Sequence, residues 1–142
     1  MNEVYGPDMT PAIAVQMLGL LEAQPNGATV VGLSGDLGAG KTTLVQSIAR
    51  ELGITETITS PTFVIAKYYK TDQNGFEKMV HIDAYRIDDS VELETIGWKD
   101  VLLEPNTLVI VEWPERVESL LPEHTKRFSI EHRDTERHIT LS

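Results

Sequence analysis

The 142-residue sequence contains no cysteine. That absence excludes disulfides, thiolate metal sites and a cysteine nucleophile, and it is compatible with a reducing compartment. No basic stretch followed by an apolar run occurs in the first ten residues, so no signal peptide is expected. The longest apolar runs, such as 108–111, are far shorter than the roughly 20 residues that cross a bilayer. A cytoplasmic protein with no membrane segment is the expectation. Positive charge is also scarce, with 12 Lys and Arg against 22 Asp and Glu and a net charge of −10. Affinity for phosphate backbones comes mainly from clustered basic residues, so a chain this acidic repels nucleic acid on average. The two local clusters, Lys126-Arg127 and the stretch 133–137, are interspersed with acids and read as a solvated mixed-charge surface. Internal repeats, low-complexity tracts and linkers are missing too.

What is present is the mix of a soluble globular protein, 41% hydrophobic and 24% charged, long enough for one domain over 1–142. Thr10-Pro11 reads as a helix start with Thr10 as N-cap and Pro11 at the first helical position. Ile13, Met17, Leu18, Leu20 and Leu21 supply an apolar stripe, and Pro25-Asn26-Gly27 a turn. Residues 28–33 read as a buried strand, and 41–52 as a helix stopped by Gly53. The stretches 62–69 and 77–82 read as strands of a hairpin around a turn at 72–75. Residues 90–103 read as helix, with Gly97 able to divide it, and 108–111 as a second apolar strand followed by Pro114. A closing hairpin is expected from 127–131 and 137–141, with Arg133-Asp134 near its tip. Buried strands mixed with hairpins predict an α/β sandwich of P-loop NTPase-like, three-layer type with a mixed, partly antiparallel sheet.

Between the strand at 28–33 and the helix from Lys41 lies GDLGAGKT, residues 35–42, which matches G-x-x-x-x-G-K-[ST] at every fixed position. Average residue usage produces about one such match per two hundred chains of this length. Glycines here let successive backbone N–H groups turn inward at a helix N-terminus, making a concave anion site from Asp36, Leu37, Gly38, Ala39 and Gly40. Lys41 is expected at the β and γ phosphates, the Thr42 hydroxyl on Mg²⁺, and Thr43 near the α phosphate. No N/T-K-x-D segment for guanine is found, which favours ATP over GTP.

The run TLVIVE, residues 107–112, is an apolar strand ending in an acid, the pattern of a Walker B strand that brings a carboxylate beside Mg²⁺. Glu112 stands where Asp is commoner, and its longer reach allows action through a metal-bound water. HIDAYR, residues 81–86, also follows an apolar strand end. Alternation puts His81 and Asp83 on one side of that strand. Asp83 can hold a metal-bound water or orient the attacking one, although a plain polar loop remains open from these residues alone. Thr62, in Ser60-Pro61-Thr62 downstream of the phosphate-loop helix, can add a hydroxyl to the metal, or simply belong to a turn.

Taken together, GDLGAGKTT, SPTF (60–63), HIDAYR and VEWPER (111–116) occur in the order and approximate spacing of the TsaE family, formerly YjeE. The resemblance covers 10–141. It implies a small Mg²⁺-dependent ATPase of bacterial tRNA threonylcarbamoyladenosine synthesis that acts with two partner proteins, TsaB and TsaD. Its nucleotide cycle would reset the complex, and it would not itself transfer the threonylcarbamoyl group. By position, the resemblance makes Lys41 and Thr42 the phosphate and Mg²⁺ ligands, Glu112 the Walker B acid and Asp83 an acid needed for hydrolysis. It sets Trp113 close to the nucleotide, Thr10 near the adenine and Arg137 as a basic residue near the nucleotide. With so acidic a chain, tRNA contact is expected to belong chiefly to the partners. A small-molecule or nucleoside kinase shares the phosphate loop, but no arginine-rich lid is evident; a scaffold binding ATP without turnover is the other alternative.

Overall fold

The computed structural model describes residues 1–56, 58, 66–87 and 91–142. Its strands are β1 (Asn2–Tyr5), β2 (Ala28–Ser34), β3 (Ala66–Lys70), β4 (Lys78–Asp83), β5 (Thr107–Glu112), β6 (Lys126–Arg133) and β7 (Glu136–Leu141). Its helices are α1 (Thr10–Gly19), α2 (Lys41–Glu51), α3 (Val91–Glu94) and α4 (Trp98–Leu103). One sheet runs in the order β1-β7-β6-β2-β5-β4-β3. The β6-β2-β5-β4 centre is parallel; at one side β3 pairs antiparallel with β4, and at the other β7 pairs antiparallel with both β6 and β1. This is the mixed α/β sandwich that the alternation of buried runs and hairpins predicts.

All six residues of β5 are buried, as expected of an interior parallel strand that faces helices on both sides. Alternate side chains serve different cores. Leu108 and Ile110 join Leu33, Phe128 and Ile139 beneath α1 and α2, whereas Val109 and Val111 join Val30, Ile82, Trp98 and Val117 on the opposite face. On that second face the indole of Trp98 donates to the Leu120 carbonyl at 2.9 Å, tying α4 to the 3-10 segment Pro114–Leu120. Each side chain thus belongs to one of two layers packed on a shared sheet.

Gly97 takes φ +78° and separates α3 from α4, as the sequence suggests. The closing hairpin extends to Lys126–Arg133 and Glu136–Leu141, with Asp134 at φ +53° in its tip. The expected residues 62–65 and Ser90 lie outside the described residues. Two readings of the first fifth of the chain need correction, and one strand goes unread. Thr10 is not an N-cap: its φ/ψ of −54°/−42° is helical, and its hydroxyl donates to the Pro7 carbonyl at 2.7 Å. The cause is the 3-10 turn Pro7–Met9, which runs straight into α1 and offers an acceptor three residues back. Next, α1 stops at Gly19, where the Leu20 and Leu21 N–H groups tighten onto the Met17 and Leu18 carbonyls. Glycine costs about 1 kcal/mol relative to Ala in a helix. Leu20 in consequence is exposed and leaves the apolar stripe, which comprises Ile13, Ala14, Met17 and Leu18. Finally, β1 is an edge strand with three of its four residues exposed, so its sequence carries no buried pattern to read.

Candidate nucleotide site at the ends of the parallel strands

The parallel register determines where the site forms. Glu112, the last residue of β5, lies opposite Leu33 of β2 on one side and opposite Asp83 of β4 on the other. The carboxyl ends of three strands therefore meet at one edge, the usual position of ligands in open α/β sheets. The loop between β2 and α2 covers that edge. Gly35, Gly38 and Gly40 hold φ values of +153°, +79° and +100°, and the latter two are left-handed conformations that strain any side chain. Gly40 is the residue before α2, and a Cβ there would fall 2.5 Å from Arg137 Nε. Asp36, Leu37 and Gly38 are exposed around the loop, and Ala39 is buried beneath it. Leu37 is 67% exposed.

Lys41, only 5% exposed, donates from Nζ to the Gly35 carbonyl and to the Asp36 carbonyl at 2.8 Å. Its ammonium stands 4.4 Å from the centre of the Trp113 ring. Burial lowers its pKa from the ordinary value, and the surrounding carboxylates of Glu112, Asp83, Glu115 and Asp36 pull it back up. Burial of a cation is tolerable here because several anions and a π face share its charge. Trp113 itself is held at φ +61°, uncommon for a residue with a bulky side chain, and begins the 3-10 segment after β5. Its ring meets that of Tyr85 at 4.9 Å, and Arg116 lies 5.8 Å from the Tyr85 ring centre.

Glu112 is 3% exposed, and Thr42 on the first turn of α2 donates to its carboxylate at 3.3 and 3.4 Å across a sequence separation of 70. From the other side His81 Nε2 approaches Glu112 Oε2 at 2.5 Å. The partly buried Asp83 receives the Tyr85 backbone N–H at 3.0 Å. Arg137 donates from Nε to the Ala39 carbonyl at 3.0 Å, gripping the loop backbone from β7. Thr43 is exposed on the first turn of α2. Thr10 is buried with its hydroxyl turned to Pro7, and Thr62 lies outside the described residues. The fold thus brings together Lys41, Thr42, Asp83, Glu112 and Trp113, with Arg137 bound to the loop.

Sequence reasoning sets His81 beside Asp83 but assigns it no partner. The missing signal is the β4–β5 register, which aligns Asp83 with Glu112 and so brings the residue two positions earlier beneath that carboxylate. Tyr85 and Glu115 are likewise unassigned by their spacing; Glu115 accepts from Ser34 Oγ at 3.3 Å.

A seven-stranded mixed sheet with the phosphate-loop sequence at the ends of its parallel strands defines a P-loop NTPase-like α/β protein. A family model described as "Threonylcarbamoyl adenosine biosynthesis protein TsaE" matches residues 6–139. The tRNA threonylcarbamoyladenosine biosynthesis protein TsaE of Bacillus subtilis is 38% identical over 137 residues, covering 96% of this chain and 80% of that one. The protein of the same name from Haemophilus influenzae is 36% identical, covering 86% and 75%. The crystal structure of YdiB from Bacillus subtilis superposes with a TM-score of 0.75 and 29% identity, covering 99% of this chain and 83% of that one. The chain belongs to the TsaE family, which takes part in tRNA threonylcarbamoyladenosine biosynthesis.

Proposed function

We propose that the chain binds ATP with Mg²⁺ and hydrolyses it, driving turnover of a TsaB–TsaD partner complex that builds threonylcarbamoyladenosine next to the anticodon. The observation that carries this reading is the contact between the Thr42 hydroxyl and the Glu112 carboxylate, beside a buried lysine at a helix N-terminus. A hydroxyl and one carboxylate suit Mg²⁺, which keeps several waters and takes its remaining ligands from phosphates. Bound there, Mg²⁺ would neutralise charge on the β and γ phosphate oxygens.

The chain's own residues perform the rest. Backbone N–H groups from Gly38 to Thr43, together with the α2 dipole, attract phosphate. Lys41 exchanges the Gly35 and Asp36 carbonyls for phosphate oxygens, which restores a full anionic partner to a partly desolvated ammonium. Thr42 and Glu112 hold the cation, and Asp83, in register with Glu112, orients the attacking water and takes its proton. Trp113 closes one wall against the nucleotide. Arg137 keeps the loop backbone in place through Ala39. With a net charge of −10, the chain docks on its protein partners and leaves tRNA contact to them.

Phosphate release measured with the chain alone and with purified TsaB and TsaD tests the reading. Weak release alone and strong stimulation by the pair are expected. Release that requires an added acceptor would instead indicate a kinase, and no turnover under either condition a scaffold.

A further inference from the structure

We propose that His81 is a positioning residue that selects which oxygen of Glu112 faces the cation; this rests on the ATPase reading above. His81 is fully buried on β4, and its single polar contact among the described residues is Nε2 to Glu112 Oε2 at 2.5 Å. Nδ1 has no hydrogen-bond partner there. Nε2 is thus the ring nitrogen placed to donate to a carboxylate oxygen, which can only accept.

A buried polar ring with one partner is a poor way to fill a core, where leucine or methionine would carry no unpaired nitrogen. What the ring contributes falls on Glu112. The terminal torsion of a glutamate is broad and roughly two-fold, so packing alone does not choose between its oxygens. The short contact to His81 engages Oε2 alone, whereas Thr42 reaches both oxygens, Oε1 at 3.3 Å and Oε2 at 3.4 Å. The histidine is therefore the contact that tells the two apart and leaves Oε1 the freer one. Lys41 is the competing partner, since Glu112 is the carboxylate whose charge acts most on its ammonium. A carboxylate released from His81 is free to turn towards that ammonium and away from the cation. Neighbours that orient a metal-ligating side chain in this way commonly matter about 10–100-fold for metal affinity or activity.

The test uses the full chain with a fluorescent ATP analogue, titrated with and without Mg²⁺, alongside phosphate release in the presence of the partner pair. Wild type shows a gain in nucleotide affinity on adding Mg²⁺. In H81L that gain should shrink about tenfold while Mg²⁺-free affinity stays near wild type, and kcat should fall about 10–100-fold with little change in KM. H81Q, whose amide nitrogen reaches the Nε2 position, should recover much of both; H81N, which mimics Nδ1 instead, should not. An unchanged Mg²⁺ gain and kcat in H81L overturn the proposal, as does equal impairment in H81Q and H81N. If H81L does not fold, the Gln-against-Asn contrast decides alone. A wild-type chain with no Mg²⁺ gain and no turnover overturns the ATPase reading itself, whereas a wild-type gain retained in H81L overturns only the role of His81.

Discussion

The two sides of the sheet use the same kind of strand to different ends. On the parallel side, the tips of β2, β5 and β4 converge, and Lys41, Thr42, His81, Asp83 and Glu112 lie in one connected cluster. On the antiparallel flank, β7, paired with β6 and β1, reaches the phosphate loop through Arg137 and its bond to the Ala39 carbonyl. Parallel neighbours need crossovers, so their carboxyl ends gather at one edge; a hairpin sends consecutive ends to opposite edges. Charged and polar side chains gather where register aligns distant segments, and the flank adds one bond to the loop backbone.

The sharpest way to break this contrast is at the lysine. K41A should reduce phosphate release by about 100-fold or more, because it removes the charge that follows the transferring phosphoryl group. Close behind, E112Q and D83N should each lower turnover about 100-fold while nucleotide titration still detects binding. Turnover unaffected by both would remove the metal and water-positioning roles. For the cores, I110A at the centre should cost about 3–5 kcal/mol in urea denaturation and I139A on the flank about 2–3 kcal/mol. Both side chains are fully buried, but Ile110 sits between two parallel neighbours, where the cavity has less freedom to collapse. Equal losses would erase the distinction.

Smaller effects probe the flank itself. R137A should weaken nucleotide affinity roughly fivefold, the equivalent of about 1 kcal/mol for one charge-assisted bond at a half-exposed site. Tyr5 offers the mildest test. Burial raises its phenol above the ordinary 10.0, with Arg137 pulling partly the other way. The folded chain therefore keeps the neutral phenol while the unfolded chain ionises, and stability declines as pH rises beyond about 10. Y5F should flatten that decline in alkaline melts and leave stability near neutral pH unchanged or slightly higher, since the buried hydroxyl lacks a hydrogen-bond partner among the described residues.

Legibility followed the same division. The β2 and β5 strands were readable because both are continuous buried runs, and α2 because Gly40 and Gly53 bracket it. The break at Gly97 was readable for the same local reason, a glycine with positive φ. Thr10 was misread because its hydroxyl met the carbonyl of a preceding 3-10 turn, a competition among neighbours that residue preference does not resolve. Strand β1 left no trace in the pattern, since its exposed edge asks little of its side chains.

Local sequence alone determined the phosphate loop, because its glycines, lysine and threonine act within one stretch of backbone whose conformation they dictate. It also determined the acids at the ends of two apolar strands, and the net charge of −10. Only the tertiary structure decided that Glu112 meets Thr42 on one side and His81 on the other, and that Arg137 holds the loop from 98 residues away. Those contacts depend on which strands neighbour one another and in what register. That choice is made by burying two helical layers on one sheet, a collective energy that no short segment carries.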